Sequence, residues 1–270
     1  MLKTNWRLHV FFLEIRKIMA YRSDFWVNQI GNIVFTLVIS YSLWKNIYDF
    51  KGVDVLNGHT LNSLVFYYLI ASIVSKAMLG EDIGFLSKEI YEGTLNRFLV
   101  YPISLFQYKH ITFLTHSLFQ SVQVIFIFFI QYLYLEKLSL SDIPYSHYFL
   151  GVLTMTLASS LFFMIACVLE SVAFWADQTW TLLVAFRMSC NFFGGSMLPL
   201  NFFPEWGQKI IAMTPFPYII NFPLKVFLGE YDSRFYFENL MMLSFWYLLF
   251  LGVFKLIWHK GKYQYTGVGM

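Results

Sequence analysis

Tyr148-Phe149-Leu150-Gly151-Val152-Leu153-Thr154-Met155-Thr156-Leu157-Ala158-Ser159-Ser160-Leu161-Phe162-Phe163-Met164-Ile165-Ala166-Cys167-Val168-Leu169 contains no charged residue. A helix needs about 20 mainly apolar residues to cross a bilayer, and this stretch supplies them. Working outward from it, five more segments of the same kind lie near 25–47, 61–79, 111–135, 179–197 and 238–258. None alternates apolar and polar residues as the strands of a membrane barrel would. The sequence therefore predicts an all-α polytopic membrane protein. Six transmembrane helices form a single transmembrane domain over residues 1–270.

Composition points the same way. Of 270 residues, 58% are hydrophobic and 13% are charged, whereas about a quarter of an ordinary soluble domain is charged. A net charge of +3, with its basic residues scattered, leaves no electrostatic footprint for nucleic acid. Cys167 and Cys190 both fall in apolar segments. They match neither a disulfide framework nor a zinc pattern and read as small core hydrophobes. The first 24 residues carry seven charges, and the apolar run after them is too long for a signal peptide, so no cleaved leader is expected.

Lys and Arg near the span ends set the orientation. With six spans, one side holds both termini and twelve basic residues, among them Lys17, Lys76, Lys88, Arg97, Lys109 and Lys260, against six on the other side. Both termini are expected in the cytoplasm. Residues 1–24 read as an interfacial elbow helix. Leu8, Phe11, Phe12, Ile15, Ile18 and Met19 fall on one face, and Lys3, Arg7, Glu14 and Lys17 on the other. It serves either as an anchor for the first span or as a contact for a cytoplasmic partner.

Two spans carry polar stripes. Asn28, Asn32, Thr36 and Ser40 recur every four residues on the first, with Gln29 beside them, and His116, Gln120, Gln123 and Gln131 mark the third. Unpaired amides facing lipid each cost several kcal/mol, so the stripes face protein or water. Interhelical hydrogen bonding and a hydrated translocation path are both open readings. His116 reads as a core histidine or a proton carrier. Glu170 and Asp177 flank the turn between spans four and five. Arg187 is the one charge set deep within a span, as part of an ion pair or as a side chain snorkelling to the interface.

Two loops stand out. In the inner loop after span two, Glu81 and Asp82 suit the positive end of a helix dipole. Ile83, Leu86 and Ile90 form an apolar stripe there, Ser87, Lys88, Glu89 and Glu92 are polar, and Gly93 is a helix stop. The result is a charged helix lying parallel to the membrane and shaped for a groove on a soluble partner. The outer segment 198–223 carries Pro199, Pro204, Pro215, Pro217 and Pro223 yet stays apolar. It follows Gly194-Gly195 and reads as short re-entrant helices.

Ala20-Tyr21-Arg22-Ser23-Asp24-Phe25, Tyr91-Glu92-Gly93-Thr94-Leu95-Asn96-Arg97-Phe98-Leu99 with Pro102, the Pro/aromatic outer loop and the tail Tyr263-Gln264-Tyr265-Thr266-Gly267-Val268-Gly269 together resemble the permease subunit of an ABC-2 type transporter, in a compact six-span bacterial branch. The resemblance implies the bacterial inner membrane, a surround of membrane lipid, and a pair of permease subunits, alike or different. Each subunit would dock on a separate ATPase that binds ATP and Mg. It implies that residues 82–98 hold the coupling helix, with Glu89, Glu92, Gly93, Thr94 and Arg97 as the residues that meet the ATPase, and that the subunit is an exporter. No Gly-x-x-x-x-Gly-Lys-Ser/Thr loop occurs, so the motor is expected on another polypeptide and no cofactor in this chain. The short loop 136–147 carries no large outer domain and leaves the cargo open.

The alternative is an autonomous secondary transporter or channel using His116, Glu170, Asp177 or Arg187. No inverted repeat is apparent. An enzyme is not expected: HExxH, GxSxG and any clustered metal-ligand set are all absent from the sequence.

Overall fold

A computed structural model describes residues 6–79, 83–100, 103–134 and 145–265, with Leu99, 127–134 and 145–146 described in backbone only. Readings that fell on Glu81, Asp82, Pro102, most of loop 136–147, the side chain of Gln131 and the tail from Thr266 lie outside the described residues. The described residues contain helices and no strand. In order these are α1 (Trp6–Ala20), α2 (Arg22–Lys51), α3 (Leu61–Leu79), α4 (Phe85–Tyr91), α5 (Leu95–Val100), α6 (Leu105–Tyr134) and α7 (Tyr145–Glu170). After a 3-10 turn at Ser171–Phe174 come α8 (Trp180–Phe193), α9 (Glu205–Ala212), α10 (Phe216–Ile219), α11 (Asn221–Phe227) and α12 (Ser233–Gln264).

Two helices form the centre. On α3, Leu64, Ile70, Ile73, Val74 and Met78 are fully buried, and on α7 so are Ala158, Leu161, Phe162, Met164 and Cys167. Helices apolar on every side belong in an interior. Around them, α2 packs on α3, α6 on both, and α11 and α12 on α7. Apolar burial against other helices gains little when lipid is the alternative, so close approach and hydrogen bonds hold such contacts. The Ser117 and Ser159 hydroxyls meet at 2.5 Å between α6 and α7. Gly261 of α12 lies flush against Phe174: a Cβ placed there would come within 2.2 Å of its ring. On α2 and α12 the outward faces are apolar and exposed, with Val27, Ile30, Val34 and Val38 on the first and Met241, Phe245 and Leu248 on the second. These faces suit hydrocarbon.

The expectation of six spans is met only in part. Among the described residues, three helices are long and apolar enough to cross a membrane: Leu61–Leu79, His147–Phe174 and Ser233–Gln264. A fourth exists if Glu205–Ala212 and Phe216–Phe227, bent by 73°, count as one broken span. The fifth expected span, 179–197, is a helix of only 14 residues, about 21 Å long against a hydrocarbon core of about 30 Å. It stops at the Gly194-Gly195 pair: Gly194 makes the last helical bond, to the Cys190 carbonyl at 2.8 Å, and Gly195 turns left-handed at φ +91°. Helices α2 and α6 have the length, at 30 residues each; the polar stripe of α2 lowers its apolarity, and the side chains of 127–134 in α6 lie outside the described residues.

Two further expectations shift. The elbow helix forms as α1, but Glu14 is not on its outer polar face. Glu14 and Ile18 are its buried residues, turned onto α6, while Leu8, Phe12 and Met19 point outward. The segment 198–223 is a set of short helices that runs on past Pro223 to Phe227; α9 exposes Trp206 and Ile210, whereas α10 and α11 are core rather than surface. Ile219, Ile220, Phe222, Leu224, Val226 and Phe227 are fully buried. Pro223 fits because it sits in the first turn of α11, where no intrahelical N–H bond is lost.

Candidate coupling site and membrane cavity

The loop after α3 folds as two short helices joined at a bend. α4 buries Phe85, Leu86 and Ile90, which realises the expected apolar stripe with Phe85 added. Ser87, expected to be polar and outward, is buried and donates to the Gly84 carbonyl at 3.0 Å. Gly93 ends α4 with φ +69°, a left-handed conformation that a side chain would strain, and its N–H reaches the Ile90 carbonyl.

The five residues singled out for coupling divide into two groups. Across the Gly93 bend, Glu89 accepts hydrogen bonds from the Thr94 hydroxyl and, at 2.7 Å, from Arg97 Nη2. Glu89 is mostly covered, so this trio staples α4 to α5. Glu92 is exposed beside Lys88, at 3.8 Å, and Asn96 is exposed too. The outward chemistry of the bend is therefore Lys88, Glu92, Asn96 and the outer half of Arg97, whose guanidinium also lies 4.8 Å from the Phe98 ring centre.

The sequence reading missed what positions this bend. Glu170, the last residue of α7, is fully buried. One of its carboxylate oxygens accepts the Gly84 N–H at 2.8 Å and the other accepts the Leu86 N–H at 2.6 Å. At the far end of α4, the Tyr91 hydroxyl donates to the Ala176 carbonyl at 3.1 Å and lies 3.3 Å from Thr179 Oγ1. Both ends of α4 are thus tied to the turn between α7 and α8. A signal did exist: a carboxylate is disfavoured at its own helix C-terminus, so one placed there serves another helix. Asp177, the other acid of that turn, is exposed.

Within the helical body, the stripe of α2 meets two cavities. One, of about 420 Å³, is bounded by Lys17, Asp24, Asn28, Lys76, Thr112, His116 and Gln120 among others. It brings Asn28 of the first stripe together with His116 and Gln120 of the second. Beside it Glu14 Oε2 lies 3.5 Å from Lys17 Nζ and 4.0 Å from His116 Nε2. Gln29 and Gln123 are buried, and among the described residues neither side-chain amide has a hydrogen-bond partner.

The second cavity, of about 650 Å³, takes Asn32, Thr36 and Ser40 from α2 and Ser72, Ser75 and Lys76 from α3. Arg187 and Asn191 of α8 and Ser196 complete its polar lining. Arg187, read in the sequence as a lone intramembrane charge, is half-buried on this wall. The stripe residues Asn32, Thr36 and Ser40 thus face protein and a cavity rather than lipid. Ser75, Lys76, Asn191 and Ser196 escaped the sequence reading because each stands singly in its own segment. The cavity's outer end is fixed by Tyr67, whose hydroxyl donates to the Gly195 carbonyl at 2.7 Å, and by Tyr68, which donates to that of Met197 at 3.1 Å. Among the described residues no group of three or more His, Cys, Asp or Glu side chains could hold a metal.

No curated protein matches the chain. The sequence does match the family described as ABC-2 family transporter protein over residues 24–269, a range that includes the α4–α5 bend, the larger cavity and the bent helices α9 to α11. The chain belongs to the ABC-2 transporter family and is a membrane permease, a transport component that is not itself catalytic.

Proposed function

We propose that this permease is one half of the membrane part of an exporter, powered by a separate ATPase subunit that docks on α4 and α5 from the cytoplasm. ATP and Mg belong to that partner, because this chain carries no phosphate-binding loop. A second permease, identical or different, completes the membrane part. Both termini lie on the side of α4, in a bacterial inner membrane, as the two-to-one excess of basic residues there requires.

Six crossings are α2, α3, α6, α7, α8 with the residues that follow it, and α12. The bent α9–α11 segment enters from outside and returns. The observation that carries the coupling role is the clamp on α4. A short helix with an exposed Lys88–Glu92 face, tied by Glu170 to the end of α7, passes a push on that face directly to a long helix.

The test replaces Glu92 and Arg97 with alanine in the full chain reconstituted with its ATPase. Complex formation and cargo-stimulated ATP turnover are then measured. Loss of either supports the reading, and wild-type values for both overturn it. Proteoliposomes holding the chain alone are expected to move no cargo, which separates this reading from an autonomous carrier.

A further inference from the structure

We infer that the outward face of α1, with Arg22 just beyond it, binds anionic lipid headgroups of the inner leaflet. This deepens the permease reading and rests on it only for the side of the membrane on which α1 lies.

The charges of this segment are sorted by side. Residues 1–23 contain one acid, Glu14. It is 1% exposed and is turned inward, near Lys17 and His116. The next acid, Asp24, borders the smaller cavity. The arginines go the other way. Arg7, Arg16 and Arg22 are all exposed, and among the described residues none of the three forms an ion pair. Leu8, Phe12 and Met19, each about half exposed, share the outward surface. At about 100° per residue they fall on one stripe about 40° wide, and Arg16 follows about 40° beyond Phe12. This face thus offers hydrocarbon and positive charge, and its acid points away. The face of α4 differs, because there the exposed Lys88 is already matched by Glu92.

The level of α1 decides what covers it. The helix packs along α6, and Glu14 meets His116, which lies one to two turns beyond Ile111, where the apolar run of α6 begins. That is about 8 Å along the helix. Amphipathic helices rest about 5–10 Å into the boundary between headgroups and acyl chains. At this level Leu8, Phe12 and Met19 meet acyl chains, while the long arginine side chains reach back to the phosphates. One molecule, a lipid with a negative head, satisfies both halves of the face.

The test places the purified full chain in nanodiscs of phosphatidylcholine, alone or mixed with phosphatidylglycerol of the same tails. Amide exchange is followed across residues 6–20, with α7 as the internal reference. One cation near an anionic surface is worth roughly a fivefold change in binding. Exchange across α1 is therefore expected to slow by at least about fivefold when phosphatidylglycerol is present, and exchange in α7 to stay the same. Arg7→Gln, Arg16→Gln and Arg22→Gln together should bring the difference below about twofold. Raising the salt on the wild-type chain should shrink it as well, which keeps the test decisive if the triple variant folds poorly. Equal exchange in the two lipid mixtures overturns the proposal, as does a difference that survives both the triple variant and high salt. Glycerol phosphate giving the same protection in phosphatidylcholine discs overturns the lipid assignment and leaves a free-anion site. Protection that appears only on adding the ATPase overturns it in favour of a protein partner. The lipid comparison uses neither ATP nor cargo, so its failure would leave ATP-driven transport untouched, and failure of coupling would leave this binding unaffected.

Discussion

Glu170 accepts the backbone N–H of Leu86 at 2.6 Å, and so the carboxyl end of α7 serves as the amino-terminal cap of α4. The two residues are 84 positions apart, and the contact is fully buried. It replaces the local Ser, Thr or Asp that ordinarily caps a helix. With Gly84 held by the same carboxylate, α4 cannot shift relative to α7 without breaking two charge-assisted bonds.

Removing the clamp has a definite cost. Glu170→Ala leaves two N–H groups unsatisfied in a buried place. It should destabilise the fold by about 2–4 kcal/mol, read as a lowered thermal midpoint in detergent. Glu170→Gln keeps one acceptor and should lose roughly half as much. If the carboxylate also transmits motion, Glu170→Gln will bind the ATPase normally yet show reduced cargo-stimulated turnover. Wild-type turnover in that variant would reduce Glu170 to a structural cap.

The bend between α4 and α5 depends on Gly93. Gly93→Ala places a side chain at φ +69° and should cost about 1 kcal/mol. The chain should still fold, with the Glu89–Thr94–Arg97 staple loosened. Weakened capture of the ATPase with a thermal midpoint lowered by only a few degrees is the expected result, and unchanged capture would show that the bend angle is unimportant.

Packing of α12 on the turn after α7 rests on the contact between Gly261 and Phe174. Gly261→Ala forces the ring aside and should destabilise by about 1–3 kcal/mol. Phe174→Leu in the same chain should restore part of that loss. A double-mutant cycle on thermal stability measures the coupling, and simple additivity would show that the two residues do not share one space.

The elbow helix is held by an acidic residue. Glu14→Ala should loosen α1 from α6, raising amide exchange across residues 6–20 more than elsewhere. His116→Ala should act in the same direction, and the pair together should do little more than either alone, because Glu14 and His116 lie at one contact. Full additivity of the two effects would separate them.

Much of this was legible in the sequence, for physical reasons that differ by residue. Runs such as 148–169 gave helices because apolar length has one meaning in a bilayer. Gly93 and the Gly194-Gly195 pair were readable as stops because a left-handed backbone, as at Gly93 and Gly195, favours glycine, and the stripe Asn32, Thr36, Ser40 was readable as inward-facing because lipid offers amides nothing. The extent of the outer segment was not, since Phe222 to Phe227 looks the same whether it lines a surface or fills a core. Glu14 was placed on the wrong face for a related reason: a helical wheel sorts by polarity, whereas Lys17 on the same helix and His116 on a neighbouring one together make a buried carboxylate tolerable. Glu170 and Asn191 act through partners distant in the chain, which no local pattern reveals.

Tyr67 and Tyr68 fasten the far mouth of the larger cavity to α3, beside the bonds that Ser196 and Met197 make to Asn191 of α8. The same α3 leads, at its other end, into α4. Because both hydroxyls hold backbone carbonyls of the segment 195–197, any tilt of α3 must carry that segment along or break two hydrogen bonds. Under the proposed coupling, the far mouth of the cavity would then answer to the same helix that leads to the docking face.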